Sequence, residues 1–430
     1  MKVLHAVHNF PPEFVGGTEA YLAALVQRQR ERGLDVLVVS GSERPDAKPG
    51  LPGLEDWHGC RVIRLGHDPA VEKYSVHFQI PRLREPYRRI LSEERPDLLH
   101  VHHYLNLGLP LVGAAAVFGI PAVVTLHDFT AICPRFFLIR PDGEFCGDLS
   151  PIPEARCQAC CEGEYAGTAL QLRDEFEQRR AFFEEELSLA SKLLVPSEQA
   201  AAHLRKSGLL PDRLSFEAVP LGLLREFRPV PREPGPPGRL RLVSFGNLAP
   251  VKGIDLLLEA LAGLSPAHRA RVSLLLLGGC TDVGLARRVA DGVPGLELRH
   301  ESGFDAARLE LLPAEADLAV FPGIAAETYA LVVDEALSLG LPVIVSARGA
   351  AAERAGGAGR VVPAGDAGAL RAVILELLEH PGRLEELRRS IPPRVPTLLD
   401  HERRLFEIYQ AVLERHPERG NPGARGETGS

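Results

Sequence analysis

The sequence predicts an α/β protein built from two Rossmann-like, parallel-sheet domains, and three observations carry that expectation. Apolar runs of strand length alternate with segments of helical spacing in both halves of the chain. The runs are apolar almost without interruption, as in strands covered on both faces. Between the halves lies FRPVPREPGPPGR, a proline-rich stretch that continues neither helix nor sheet. This places a first domain over 1–226, a linker over 227–239, a second domain over 240–398, a last helix over 399–416 and a tail over 417–430 whose composition reads as disordered. With 430 residues and a hydrophobic fraction of 45%, the chain can supply a core for each domain.

Composition also excludes function classes. A net charge of -8 argues against general nucleic-acid binding. No apolar run reaches the roughly 18 residues of a spanning helix, and the chain opens directly on a strand-like KVLHAV, so a cytoplasmic protein is expected.

Taken in order, Lys2 to Val7 reads as a buried strand, followed by a loop, an amphipathic helix and a second strand. Gly16 and Gly17 precede Thr18, a good N-cap, so their N–H groups can face an anion with no Cβ in the way. Pro45 to Gly59 reads as a loop, Cys60 to Leu65 as a strand, and Phe78 to Arg95 as a helix interrupted near Pro86. That helix carries Arg82, Arg84, Arg88 and Arg89, a basic face suited to peripheral contact with an anionic bilayer.

His100 and His102 alternate to one strand face and His103 to the other; they read as core or rim histidines rather than metal ligands. His127 ends VVTLHD at a strand's carboxyl edge, where Asp128 can fix its imidazole or cap the next turn. Beyond it Cys133, Cys146, Cys157, Cys160 and Cys161 crowd into one insert. In a reducing compartment clustered thiols suggest metal before disulfide. Cys133, Cys146, Cys157 and Cys160 are candidate ligands of a structural zinc, with an iron–sulfur cluster or unligated thiols as the other readings. A charged helix follows over Leu170 to Ala190, then the strand KLLVPS and a helix opened by Ser197.

In the second half, Lys252 lies in the loop FGNLAPVKG after the first strand, where a cation suits a diphosphate. The loop and segment FPGIAAETYALVVDEALSLG then carry Glu327 and Glu335 between two strands. Ligands of parallel sheets lie outside the carboxyl ends of strands, so both acids stand where a ligand would. Eight residues is slightly over two helical turns, and the pair shares one face if the helix begins near Glu327. No Gly-x-Gly-x-x-Gly follows a first strand in either half, which discounts a nicotinamide-dependent oxidoreductase.

Pro322, Gly323, Glu327, Glu335, Ala336, Gly340, Pro342 and Val343 together resemble the E-x7-E signature of family 4 retaining glycosyltransferases. The resemblance implies the GT-B arrangement of two such domains facing a cleft, here in a subgroup with a cysteine-rich insert. It implies a nucleotide-diphospho-sugar donor and a saccharide or lipid-linked acceptor. Glu327 would contact the donor sugar and Glu335 the ribose, with the amides of Tyr329, Ala330 and Leu331 at the diphosphate beside Lys252. The Gly16/Gly17 loop and His127 would close over the sugar, with Glu327, Lys252 and His127 as the catalytic group. Asn247 stands where the family pattern carries Arg, and Arg225 or Arg348 are the candidates to compensate. Ser302, Gly303 and Phe304 would approach the base. The chain contains no Asp-x-Asp, so no catalytic metal is expected. A non-catalytic nucleotide-sugar-binding partner subunit of another transferase is the alternative, because Asn247 brings no charge.

Overall fold

The computed structural model describes residues 1–14, 16–44, 47, 51–66, 80–163 and 167–416. The chain divides into two units, Met1–Leu224 with the chain from Leu398 onward, and Arg225–Thr397. The proline-rich stretch from Arg228 runs along the second unit, where Val230 N–H donates to Glu310 O at 2.9 Å. The expected tail lies outside the described residues.

In the first unit the strands are β1 (Lys2–Val7), β2 (Asp35–Ser42), β3 (Pro52–Trp57), β4 (Cys60–Gly66), β5 (Leu98–Val101), β6 (Ala122–Thr125), β7 (Lys192–Val195) and β8 (Phe216–Ala218). They form one sheet in the order β3-β4-β2-β1-β5-β6-β7-β8. All neighbours pair in parallel except β3 and β4. Side chains of the inner strands are buried on both faces, including Val3, Leu4, Val38, Leu99 and Val124, which is why these runs lack alternation.

Two expectations fail here. The Pro45 to Gly59 loop contains β3, an exposed edge strand, turned into β4 by His58 and Gly59 with φ of 49° and 77°. Two successive left-handed residues make the tight hairpin turn. The helix expected to break near Pro86 runs unbroken over Arg84–Glu94 after a 3-10 turn at Pro81–Leu83. Pro86 sits in its first turn, where a missing N–H costs no intrahelical bond. The start of that expected helix, before Ile80, lies outside the described residues.

The second unit adds β9 (Leu240–Phe245), β10 (Val272–Leu277), β11 (Glu297–Glu301), β12 (Leu318–Phe321), β13 (Val343–Ser346) and β14 (Gly359–Val362). Their order is β11-β10-β9-β12-β13-β14, all parallel. Strand order reverses between β9 and β12, the switch point beside which ligands of open parallel sheets lie. The core beneath it packs Leu242, Leu274, Leu276 and Ile344 against Leu257, Leu261 and Leu370.

The last helix, Leu398–Glu414, returns to the first unit and lies against the helix Gly17–Glu31. Arg32 holds Glu402 through two bonds of 2.6 Å. The Tyr21 hydroxyl donates to Nε2 of His401 at 2.6 Å, while His401 Nδ1–H donates to the Pro220 carbonyl at 2.8 Å. No helix among the described residues is long and apolar enough to cross a membrane.

Candidate active site

The second unit builds a pocket at its switch point. Its walls include Ser244 and Phe245 at the end of β9, Asn247 and Lys252 in the following loop, and Phe321 and Glu327 after β12. Two glycines let the loops meet. Gly253 has a φ of 74°, and a Cβ there would stand 2.1 Å from the Pro322 carbonyl oxygen. Gly349 has a φ of 67°, and its Cβ would meet the Glu327 backbone at 2.4 Å. Main-chain bonds complete the join: Ile324 N–H donates to Val251 O at 3.0 Å and Ala350 N–H to Glu327 O at 2.8 Å.

Lys252 Nζ and Glu327 Oε1 are 3.0 Å apart, both partly exposed. The two residues expected at the diphosphate and the sugar are thus paired with each other. Asn247 is exposed on the same pocket wall. Arg348, a candidate to compensate for it, donates to Ile324 O at 2.8 Å and so braces the Glu327 loop.

The helix after Glu327 begins only at Leu331. Glu327 is therefore a loop residue bridged to Gly349, and the expected two-turn helical face does not form. Ala330, with a φ of 66°, caps the helix without a side-chain bond. Tyr329 is buried, and its hydroxyl donates to Asp334 Oδ2 at 2.7 Å. Asp334, fully buried, also accepts from Arg354 at 2.8 and 2.9 Å. Sequence reasoning missed this clamp, whose partners are twenty residues apart. Glu335 does not line the pocket with Glu327. It is half-buried; burial pushes its carboxyl up to about 7, with Arg225 pulling it down and Asp334 adding to the rise. Phe304 packs edge-on to Phe245, ring centroids 6.1 Å apart.

In the first unit Gly16, not Thr18, is the N-cap of the helix Gly17–Glu31. Its N–H donates to Glu19 Oε2 at 3.0 Å, and Glu19 Oε1 lies 2.7 Å from His8 Nε2. The Gly16 amide therefore serves a carboxylate of its own helix, while nothing approaches a Cβ position at Gly17 within 4 Å. Arg64 on β4 steadies this loop by donating to the carbonyls of Phe10 and Pro11 at 2.7 Å each.

His127 follows β6 and is buried, its Nε2 3.1 Å from His102 Nδ1. Burial first, then the neighbouring His103, lowers it to about 3. A neutral imidazole at physiological pH can position a ligand but holds no acidic proton beyond its single N–H. Asp128 fixes His103 at 2.8 Å rather than His127, and its other oxygen accepts from Thr130 N–H at 2.7 Å. Burial would raise that carboxyl, but His103 and the Thr130 bonds outweigh it and hold it well below the usual range.

Among the described residues, His5, His100 and His102 form the one group whose ligand atoms lie within 4.8 Å of one another. Their nitrogens are all engaged: His5 with His102 and Gln29, His100 with Tyr409 and Thr125, His102 with His127. They are a hydrogen-bonded core ladder. The cysteines of the insert all line one apolar pocket with Ile132, Leu138, Ile139 and Ile152.

Residues 16–222 match the family described as glycosyl transferase 4-like domain, and residues 239–380 that described as glycosyl transferases group 1. The phosphatidyl-myo-inositol mannosyltransferase of Mycobacterium leprae is 33% identical over 367 residues, covering 85% of this chain and 84% of that one. The chain is a family 4 glycosyltransferase. The D-inositol 3-phosphate glycosyltransferase 1 of Catenulispora acidiphila is 25% identical to this glycosyltransferase over 437 residues, 93% of this chain and 91% of the relative. Among solved structures, the sucrose-phosphate synthase of Thermosynechococcus elongatus superposes with a TM-score of 0.65 at 19% identity, covering 96% and 99% of the two chains. HepE of Anabaena, solved with UDP and glucose, gives 0.60 at 15%, covering 96% and 100%. These likenesses establish the GT-B fold of the glycosyltransferase.

Proposed function

We propose that the enzyme transfers a hexose-type sugar from a nucleotide-diphospho-sugar to a hydroxyl of a saccharide or lipid-linked acceptor, with retention, in bacterial polysaccharide or glycoconjugate synthesis. The Lys252–Glu327 pair in the pocket beside β9 and β12 carries this reading. A ligand with both hydroxyls and phosphates satisfies the two at once: Glu327 accepts from sugar hydroxyls while Lys252 turns to the diphosphate. Glu335 accepts from the ribose hydroxyls, and the amides of Tyr329, Ala330 and Leu331 face the diphosphate.

In the transfer, the bond from the anomeric carbon to the phosphate oxygen breaks as the bond to the acceptor oxygen forms on the same face. The acceptor proton passes to the departing phosphate. Lys252 stabilises the negative charge that grows there. The inositol-derived acceptors named for the two relatives make a polyol or lipid-linked hydroxyl the acceptor to try first. No divalent ion takes part, and the enzyme works in the cytoplasm, at the inner face of the membrane when the acceptor is lipid-linked.

The test is a thermal-shift panel of UDP-, GDP-, ADP- and dTDP-sugars on the wild type, Lys252→Ala and Glu335→Ala, followed by transfer assays in EDTA. One nucleotide series at 100 times its dissociation constant should add about 2.7 kcal/mol to the folded state. Both variants should lose that shift, and transfer should survive EDTA. A donor that binds but is never transferred would favour the partner-subunit alternative, and activity that EDTA abolishes and Mn restores would refute metal independence.

A further inference from the structure

Asp334 carries a charge where charge is costly. It sits in the helix Leu331–Ser338 beside buried Val333, Ala336 and Leu337, and is itself fully buried. Its Oδ1 accepts from Nε–H and Nη2–H of Arg354 at 2.9 and 2.8 Å, and its Oδ2 from Nη2–H of Arg354 and the Tyr329 hydroxyl at 2.9 and 2.7 Å. A carboxylate oxygen offers about two acceptor positions, so none is left here for a ligand. The Arg354 guanidinium also covers the Tyr329 ring, 5.0 Å from its centroid.

A buried ion pair is weak evidence for stability, because apolar residues of similar volume frequently do as well. Its place in the chain gives this pair another use. Ala330 lies between Tyr329 and the helix with φ and ψ of 66° and 63°, a left-handed conformation that strains any residue but glycine. Such strain persists where the surroundings over-determine it. Tyr329 before Ala330 and Asp334 after it are tied across the turn, and Arg354 holds both. Arg354 stands in the last turn of the helix Ala350–Ala355, whose first N–H donates to Glu327 O at 2.8 Å. One short helix therefore grips the Glu327 loop from both of its ends.

The turn it holds faces the pocket. Val332, in the first turn of the helix, lines that pocket with Lys252 and Glu327. No side chain caps this helix end, and Val333 N–H turns back to Ala330 O at 3.0 Å. The N–H groups of Leu331 and Val332 have no intrahelical acceptor, and the conformation of Ala330 sets where they are aimed.

We propose that Tyr329, Asp334 and Arg354 are positioning residues for the donor: they hold Ala330 left-handed and so aim the first-turn N–H groups, that of Leu331 among them, at the diphosphate. This rests on the reading of the pocket as the donor site. The three side chains touch no ligand and act only through the turn. Without them Ala330 relaxes, and donor affinity falls with the fraction of molecules that keep the turn. The penalty on a left-handed residue other than glycine corresponds to roughly tenfold in a binding constant.

The experiment uses the full chain and whichever UDP-, GDP-, ADP- or dTDP-sugar the wild type binds. That donor is titrated by calorimetry into Tyr329→Phe and into the double variant Asp334→Leu with Arg354→Met, and urea unfolding of each ligand-free variant is recorded alongside. Tyr329→Phe loses only the hydroxyl, while the double variant replaces the pair by apolar side chains. Both should unfold close to the wild type. The dissociation constant should rise roughly threefold in Tyr329→Phe and roughly tenfold in the double variant. Adding Ala330→Gly to either should recover most of the loss, because glycine takes the left-handed turn unaided; a merely structural pair gives no such recovery. If the double variant does not fold, Tyr329→Phe with and without Ala330→Gly still decides. Wild-type affinity in the folded variants, or a loss that Ala330→Gly leaves untouched, overturns the proposal. A wild type that binds none of the four donor series overturns the donor-site reading itself, and the proposal falls with it.

Discussion

Replacing Glu335 by Gln should stabilise the ligand-free enzyme at pH 8 and change it little at pH 5. Burial pushes this carboxyl from an ordinary value near 4.5 up to about 7, against the pull of Arg225. The folded state therefore holds the proton to higher pH than the unfolded chain does. Stability from this group is intact below pH 4.5 and drains away as pH rises through 7, because ionisation then occurs in a site that disfavours charge. At about 1.4 kcal/mol per pH unit the gap corresponds to roughly 3 kcal/mol. Relaxation and water entry reduce it, so about 1–3 kcal/mol is expected at pH 8. Gln keeps the shape and lacks the charge. For a unit of this size each kcal/mol moves the melting midpoint by about 2–4 °C, so calorimetry at the two pH values resolves the effect. An equal difference between variant and wild type at pH 5 and pH 8 would refute the reasoning. The same cost has a use: ribose hydroxyls that donate to Glu335 would relieve it, so the variant should gain less stability from donor than the wild type does.

Three further outcomes follow from the geometry. Gly253→Ala must hold a side chain at a φ of 74° against the Pro322 carbonyl; it should lose at least about 2 kcal/mol in urea unfolding and donor binding with it. Arg354→Ala leaves buried Asp334 without its charged partner, which should cost about 3–5 kcal/mol at neutral pH, partly recovered by adding Asp334→Asn. The exposed arginines Arg82, Arg84, Arg88 and Arg89 should sediment the protein with anionic liposomes at low salt and release it as salt rises; absence of binding at low salt sinks peripheral membrane contact.

Much of the fold was legible because long apolar runs such as VSLLLL and LAVF report burial on both faces, whatever their partners. Edge strands carry no such signal, and β3, mostly exposed, read as loop. At the site, Glu327 and Lys252 were legible as residue types at strand ends. Their pairing across 75 positions was not, nor was the Glu19 carboxylate that occupies the Gly16 amide. A capping acid three residues past Gly16 was the available signal there. The helix expected from Glu327 starts at Leu331 because the loop must first bridge to Gly349, a contact that periodicity cannot reveal.

The return of the last helix to the first unit makes the second unit an insertion, entered after Leu224 and left before Leu398. Entry and exit lie side by side, since Leu398 N–H donates to Leu223 O at 2.8 Å. On the ribosome this imposes an order: the sheet from β1 to β8 emerges long before Tyr409, which His100 contacts at 2.5 Å, and before His401, which Tyr21 contacts. The nascent first unit waits with a histidine, a tyrosine and an arginine lacking their helix, while the whole inserted unit is synthesised. A protease nick at one crossing leaves the other intact, so the halves stay joined until both are cut.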